Sequence, residues 1–145
     1  KKSITKLNDE HNIYGFIDGK VESKVTIMHL DVDNLTSRGE TASPYEISSL
    51  MFKLYAKMSE FFLTKKALSF FMGGDNFMVV ANSNHRESAE EFIDIIKNEL
   101  GIELNCGIGT GKTARNAVKL ATKSLDTIRE IRDSGKEKPE IYELT

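Results

Sequence analysis

The sequence predicts an α+β domain of ferredoxin-like type, an antiparallel sheet with helices packed on one face, and three observations lead there. Short β-branched apolar runs alternate with longer segments whose apolar residues recur at helical spacing. Their order along the chain is β-α-β-β-α-β-α, with material for a terminal β, and its inner part is the split β-α-β arrangement. The length, 145 residues with 39% hydrophobic side chains, supplies one full core without disulfide staples or a structural metal.

Residues 1–20 are polar, punctuated by Asn, Asp and Gly, and read as a leader or linker with at most one helical turn; residues 21–145 read as the domain proper. Val25 to Val32 is a buried strand whose end turns acidic at Asp31 and Asp33. Ser43-Pro44-Tyr45-Glu46 is a capping box with proline at the first helical position. It opens a helix of about five turns through Ile47, Leu50, Met51, Leu54, Met58, Phe61 and Phe62. Ala67 to Met72 and Phe77 to Ala81 are strands joined by Gly73-Gly74-Asp75-Asn76, a tight hairpin turn. Ser88 to Leu100 is a second helix, with Ser88 and Glu91 as its capping box and Gly101 as its stop. Ile102 to Ile108 alternates as a strand, Thr113 caps a third helix running to about Gly135, and Pro139 to Leu144 could add an edge strand.

Composition narrows the function. Lys and Arg total 20 against 22 Asp and Glu, a net charge of −2, which argues against a protein that holds long nucleic acid by neutralising phosphates. It leaves open a small phosphate ligand escorted by metal. The single cysteine, Cys106, excludes a disulfide framework and a cysteine-rich zinc site and suits a reducing, cytoplasmic setting. No apolar run approaches the roughly 20 residues of a membrane span, so no membrane partner is expected. Residues 86–103 are acidic and residues 112–138 basic, which reads either as two solvated helix faces or as a basic helix turned toward an anionic ligand.

The predicted topology sets the first strand beside the hairpin's second strand, antiparallel, and so brings Asp31 to Asp75. Two close carboxylates repel each other, and a divalent cation resolves the conflict. Mg²⁺ takes one or two carboxylates and completes its shell with water and substrate phosphates, and two such ions can clamp an in-line displacement. Gly73 and Gly74, lacking Cβ, would let a triphosphate approach the backbone, although most such tetrapeptides are only hairpin turns.

Three blocks carry a resemblance: His29-Leu30-Asp31-Val32-Asp33-Asn34; Phe70 to Met78, with Gly73-Gly74-Asp75-Asn76 at its centre; and Cys106 to Ala114. Together they resemble the catalytic palm half of the GTP cyclohydrolase III family, in the superfamily of GGDEF, class III cyclase and CRISPR polymerase palm domains. The likeness spans roughly Asn12 to Gly135 and implies a ferredoxin-like palm domain that handles a nucleoside triphosphate, GTP by the family's example, with Mg²⁺. It implies Asp31, Asp75 and the carbonyl of Val32 as metal ligands. Asn34, Leu35, Gly73, Gly74 and Asn76 are implied around the phosphates. The last helix must return toward the site, and its Arg129 and Arg132 stand where related palms place a phosphate-binding cation. Arg129 is the better match, catalytic together with Asp31 and Asp75.

Gly107 to Thr113 imitates a phosphate-binding P-loop but lacks the required first glycine, since Cys106 stands there. These glycines read instead as close strand-to-helix packing. His29 shares the Asp31 face and reads as a packed or hydrogen-bonded residue rather than a base. Asp33 is either a supporting carboxylate or a strand end. Asn76 stands where diguanylate cyclases have glutamate, and an amide cannot take a proton, which favours water over a ribose hydroxyl as nucleophile.

The resemblance thus implies a hydrolase that converts GTP to a formylaminopyrimidine ribonucleotide 5′-phosphate and phosphate. The alternative is a stand-alone palm that cyclises or joins nucleotides, and a third reading is a silent nucleotide-binding module. The family carries two palm repeats, so the expected partner is a second palm, from a homodimer or from a repeat outside these residues. Base selection is expected between Asn34 and Ile47.

Overall fold

In the computed structural model, residues 3–8, 13–17, 24–33, 42–81 and 84–145 are described. Asn34, Leu35 and most of the segment expected to select the base lie outside them. Strands β1 (Ser3–Asn8) and β2 (Ile13–Ile17) pair antiparallel as a two-stranded sheet, so the leader holds two strands where at most a helical turn was expected. The β-branched and aromatic content of Ile13-Tyr14-Gly15-Phe16-Ile17 is the sequence signal for this.

The main sheet has five strands in the order β4-β5-β3-β6-β7: β3 (Val25–Val32), β4 (Leu68–Gly73), β5 (Asn76–Ala81), β6 (Leu104–Gly111) and β7 (Ile141–Leu144). Helix α1 (Pro44–Thr64) joins β3 to β4, α2 (His85–Leu100) joins β5 to β6, and α3 (Ala114–Asp133) joins β6 to β7. The split β-α-β order is therefore present, with β3 antiparallel to both β5 and β6. The sheet is not wholly antiparallel. Strand β7 pairs parallel with β6, because a whole helix intervenes and carries the chain back to the same end.

The expected placement of all helices on one face needs correction. Met28, Leu30 and Val32 point into a core shared with Met51, Leu54, Met58 and Phe62 of α1 and with Ala89, Phe92, Ile93 and Ile96 of α2. On the opposite face, Ile27 packs against Ala117 and Ala121 of α3. Val25 and Ile27 on one face of β3 and Met28, Leu30 and Val32 on the other are the sequence sign of a strand covered on both sides. Strand β6 shows how α3 comes so close. A Cβ at Gly107 would lie 2.3 Å from the carbonyl oxygen of Ala121, and one at Gly109 would lie 2.2 Å from that of Ala117. The glycines serve strand-to-helix packing, as their failure to match a P-loop suggested.

Caps agree with the sequence at two of three helices. Ser43 and Glu46 form the reciprocal capping box of α1, and Thr113 accepts from the amide of Asn116 at the start of α3. At α2 the expected Ser88–Glu91 box is not used: the helix begins a turn earlier, after Asn84, and the Ser88 hydroxyl donates to the Asn84 carbonyl. Gly101 ends α2 in the left-handed conformation, φ 62°. Among the described residues no helix is long and apolar enough to cross a membrane.

Candidate active site

The β3–β5 register sets Asp31 opposite Asn76, and Asp75 is the next residue in the turn, so the two strands bring the two aspartates to one end of the sheet. Gly73 and Gly74 make that turn with φ values of 101° and 62°, which side chains with a Cβ rarely adopt. Among the described residues no atom lies within 4 Å of where a Gly73 Cβ would stand, which leaves the backbone here open on their side. Val32, 4% exposed, closes β3 and pairs with Leu104.

Helix α3 returns to this end, as its direction required. Arg129 reaches Asp31 Oδ2 through Nη2 at 2.6 Å and Nε at 3.2 Å, while its Nη1 donates to Asp126 at 3.1 Å. Burial alone would weaken the guanidinium's hold on its proton, but the Asp31 and Asp126 carboxylates more than offset it. Arg132, one turn on, meets Asp33 Oδ1 at 3.2 Å instead. Lys112, in the failed P-loop, sits beyond Gly111, which pairs with Val25 at the far end of β3 from Asp31.

His29 is hydrogen-bonded through both ring nitrogens. Nε2 lies 3.1 Å from Asn76 Oδ1 and Nδ1 lies 3.2 Å from the Thr122 hydroxyl. Asn76 in turn donates through Nδ2 to Asp75 Oδ1 at 2.9 Å. Both ends of the Asn76 amide are therefore engaged within the protein, one of them on the turn aspartate. Cys106 is fully buried and burial pushes its thiol up, which leaves it a packing residue without nucleophilic character.

Sequence reasoning missed two residues. Asn105 of β6 stands opposite Asp31 in register and donates to its Oδ1 at 3.0 Å. Lys138, from the loop before β7, donates to Asn105 Oδ1 at 2.7 Å and pairs with Asp33 Oδ2 at 3.0 Å. An asparagine inside an otherwise apolar strand was the available signal for the first. The second lies in Lys136-Glu137-Lys138, which reads as solvated surface until β7 is seen to anchor it.

Asp33 has its side chain 2% exposed between Lys138 and Arg132. Burial pushes its carboxyl up, but the Lys138 hydrogen bond and charge, with Asn105 and Arg132, hold it below the ordinary carboxylate range. A carboxyl depressed in the folded state contributes stability that is present above its unfolded pKa, about 4, and lost as pH falls through the native value. The melting temperature is expected to fall on acidification below about pH 4. Asp33→Asn is expected to flatten that acid limb and to cost on the order of 2 kcal/mol at neutral pH, measured by thermal denaturation across pH.

The side-chain groups of Asp31 and Asp75 would offer a cation only oxygens. Among the described residues no three His, Cys, Asp or Glu side chains are grouped to hold a metal. Two carboxylates and a strand-end carbonyl nevertheless suit a hard cation that fills most of its shell with water and phosphate.

A sequence model of the GTP cyclohydrolase III family matches residues 7–140. The chain belongs to the GTP cyclohydrolase III family. Named relatives include the GTP cyclohydrolase III of Methanocaldococcus jannaschii, 39% identical over 75% of this chain and 41% of its own length. That of Methanococcus maripaludis is 35% identical over 83% of the chain and 44% of its own length. The chain spans less than half the length of the curated GTP cyclohydrolase III relatives it matches. Among solved structures, the coiled coil and GGDEF domain of DgcB from Caulobacter crescentus superposes with a TM-score of 0.65 at 13% identity, covering 84% of this chain and 70% of that one. The GGEEF domain of a Vibrio cholerae diguanylate cyclase gives 0.58 at 15% identity, covering 85% of each. At these identities the likeness shows the fold alone: this member of the GTP cyclohydrolase III family shares the architecture of those domains.

Proposed function

We propose that this chain is the catalytic palm of a GTP cyclohydrolase III, hydrolysing GTP to a formylaminopyrimidine ribonucleotide 5′-phosphate and phosphate. The observation that carries the reading is the arrangement around Asp31: a buried carboxylate at a strand end, beside the glycine turn of Asp75, held by a guanidinium from the returning helix. Asp31, Asp75 and the Val32 carbonyl would hold Mg²⁺, two ions in the full arrangement. When bound, the metal supplies Lewis acidity toward phosphate oxygens and lowers the pKa of water.

The chain's own groups do the rest. Asp31 already stands against a positive charge, the Arg129 guanidinium. Arg129 can exchange Asp31 for a phosphate oxygen while Asp126 keeps its other edge oriented. Gly73 and Gly74 leave the turn backbone open to phosphate, Arg132 adds positive charge one turn further, and Asn34 and Leu35 follow β3 where backbone amides would meet phosphate. Asn76, an amide, offers no base for a ribose hydroxyl. The partner in this reading is a second palm, from a second copy of the chain or from a repeat elsewhere in the full-length protein. Sedimentation of the chain with and without GTP distinguishes the two.

Incubation of the chain with each nucleoside triphosphate and Mg²⁺, followed by mass detection, is expected to give the formylaminopyrimidine product and phosphate from GTP. A cyclic mono- or dinucleotide with pyrophosphate would overturn it in favour of a nucleotide cyclase.

A further inference from the structure

Asn105 occupies a position with few explanations. It is 1% exposed, in the middle of a five-stranded sheet, and each end of its amide meets a charged group. An amide can be flipped by half a turn with little change of shape, so the flip must be fixed by its partners. Lys138 has only donors, so the amide oxygen must face its ammonium group. The NH₂ is thereby left for Asp31, whose Oδ1 accepts it at 3.0 Å. The reverse flip would set donor against donor and acceptor against acceptor, two repulsions in place of two bonds in a region closed to water.

We propose that Asn105, with its flip fixed by Lys138, is a positioning residue for Asp31. Its N–H engages Oδ1 from β6 and so leaves Oδ2 to α3, where Arg129 meets it. Lys138 is itself fixed by Asp33, so the loop before β7 is tied into the placement of a carboxylate on the central strand. The Asp75 side shows the same construction independently. Asn76 donates to Asp75, and its oxygen faces His29, whose other nitrogen is taken by Thr122. Each aspartate thus accepts from an asparagine, and the amide oxygen of each asparagine is engaged by a further side chain, Lys138 or His29. The inference rests on the reading of Asp31 as a metal and nucleotide ligand and adds the device that aims it.

The test measures binding of Mn²⁺ by electron paramagnetic resonance, with the metal alone before nucleotide is added, together with kcat, KM and melting temperature. Asn105→Leu is expected to weaken Mn²⁺ binding by about 10- to 100-fold and to lower kcat similarly. KM for GTP should stay within about twofold, because the positioning of one carboxylate, and not the nucleotide's other contacts, is disturbed. Lys138→Met should reproduce part of the loss, and Lys138→Arg, which still offers donors to Asn105 and Asp33, should restore it. Should Asn105→Leu fail to fold, Lys138→Met and Lys138→Arg carry the test alone, since Lys138 is partly exposed. Variants that lower only the melting temperature, with Mn²⁺ affinity and kcat unchanged, overturn the proposal. Failure of the underlying reading looks different: Asp31→Asn and Asp75→Asn would then themselves leave Mn²⁺ affinity at the wild-type value.

Discussion

Asp31→Asn is expected to reduce GTP turnover by about a thousandfold or more, equivalent to some 4 kcal/mol of lost transition-state stabilisation. Two donors converge on this side chain, Asn105 on Oδ1 and Arg129 on Oδ2. An aspartate accepts both. An asparagine presents one oxygen and one NH₂, so whichever way it turns, one of the two donors faces another donor. The variant therefore loses the negative charge a cation needs and also leaves a polar group unpaired in a nearly closed place, at a cost of about 1–3 kcal/mol in stability. Asp75→Asn separates the two effects, because its turn is half-exposed. There turnover should fall to a similar degree while the melting temperature moves little. Steady-state kinetics and calorimetry on the two variants check both parts.

The second large effect falls on stability, far from Asp31. Gly109→Ala would place a Cβ 2.2 Å from the Ala117 oxygen and 2.2 Å from the Ala121 nitrogen, both backbone atoms of α3. No side-chain rotation relieves such contacts, so the helix has to lift off the sheet. A loss of about 3 kcal/mol or more is expected, at the upper end of overpacking costs. Gly107→Ala meets the Ala121 oxygen at 2.3 Å and the Leu125 nitrogen at 2.4 Å and should cost nearly as much. Gly111→Ala, whose nearest atoms lie at 2.9 Å, should cost less. Urea denaturation of the three variants is expected to rank them in that order. Lifting α3 would also withdraw Arg129 from Asp31, so the two severe variants should lose turnover beyond their loss of folded protein.

The features legible in the sequence were those encoded by local pattern or by topology. The acidic end of β3 and the glycine turn announce themselves as residue types out of place in a buried strand and a tight hairpin. Their meeting follows from the antiparallel neighbours of a split β-α-β unit, and the Asp31–Asn76 register agrees. The return of α3 placed both Arg129 and Arg132 toward the site by direction, and the preference for Arg129 came from the resemblance to related palms. Which cation takes which carboxylate was not legible, because it depends on helix rotation: Arg129 faces Asp31 and Arg132, three residues on, faces Asp33. Asn105 and Lys138 were missed for a related reason. Their roles exist only through the β3–β6 register and the parallel docking of β7, tertiary facts that a polar residue in strand β6 flags locally but does not specify. The side of the sheet taken by α3 was misjudged although β3, apolar at successive positions, already required cover on both faces.

The ion pairs on the aspartates of β3 join distant parts of the chain: 98 positions separate Arg129 from Asp31, and 99 separate Arg132 from Asp33. When the chain is synthesised, the two carboxylates of β3 leave the ribosome long before the cations that accompany them in the fold. The central strand then has no inexpensive way to be buried early, since closing the sheet over Asp31 and Asp33 without their partners would strand charge in an apolar layer. Its settled place awaits α3 and the loop of Lys138, with the long loop closures that slow folding. The timetable of assembly is thereby set by the same residues that shape the catalytic end of the sheet.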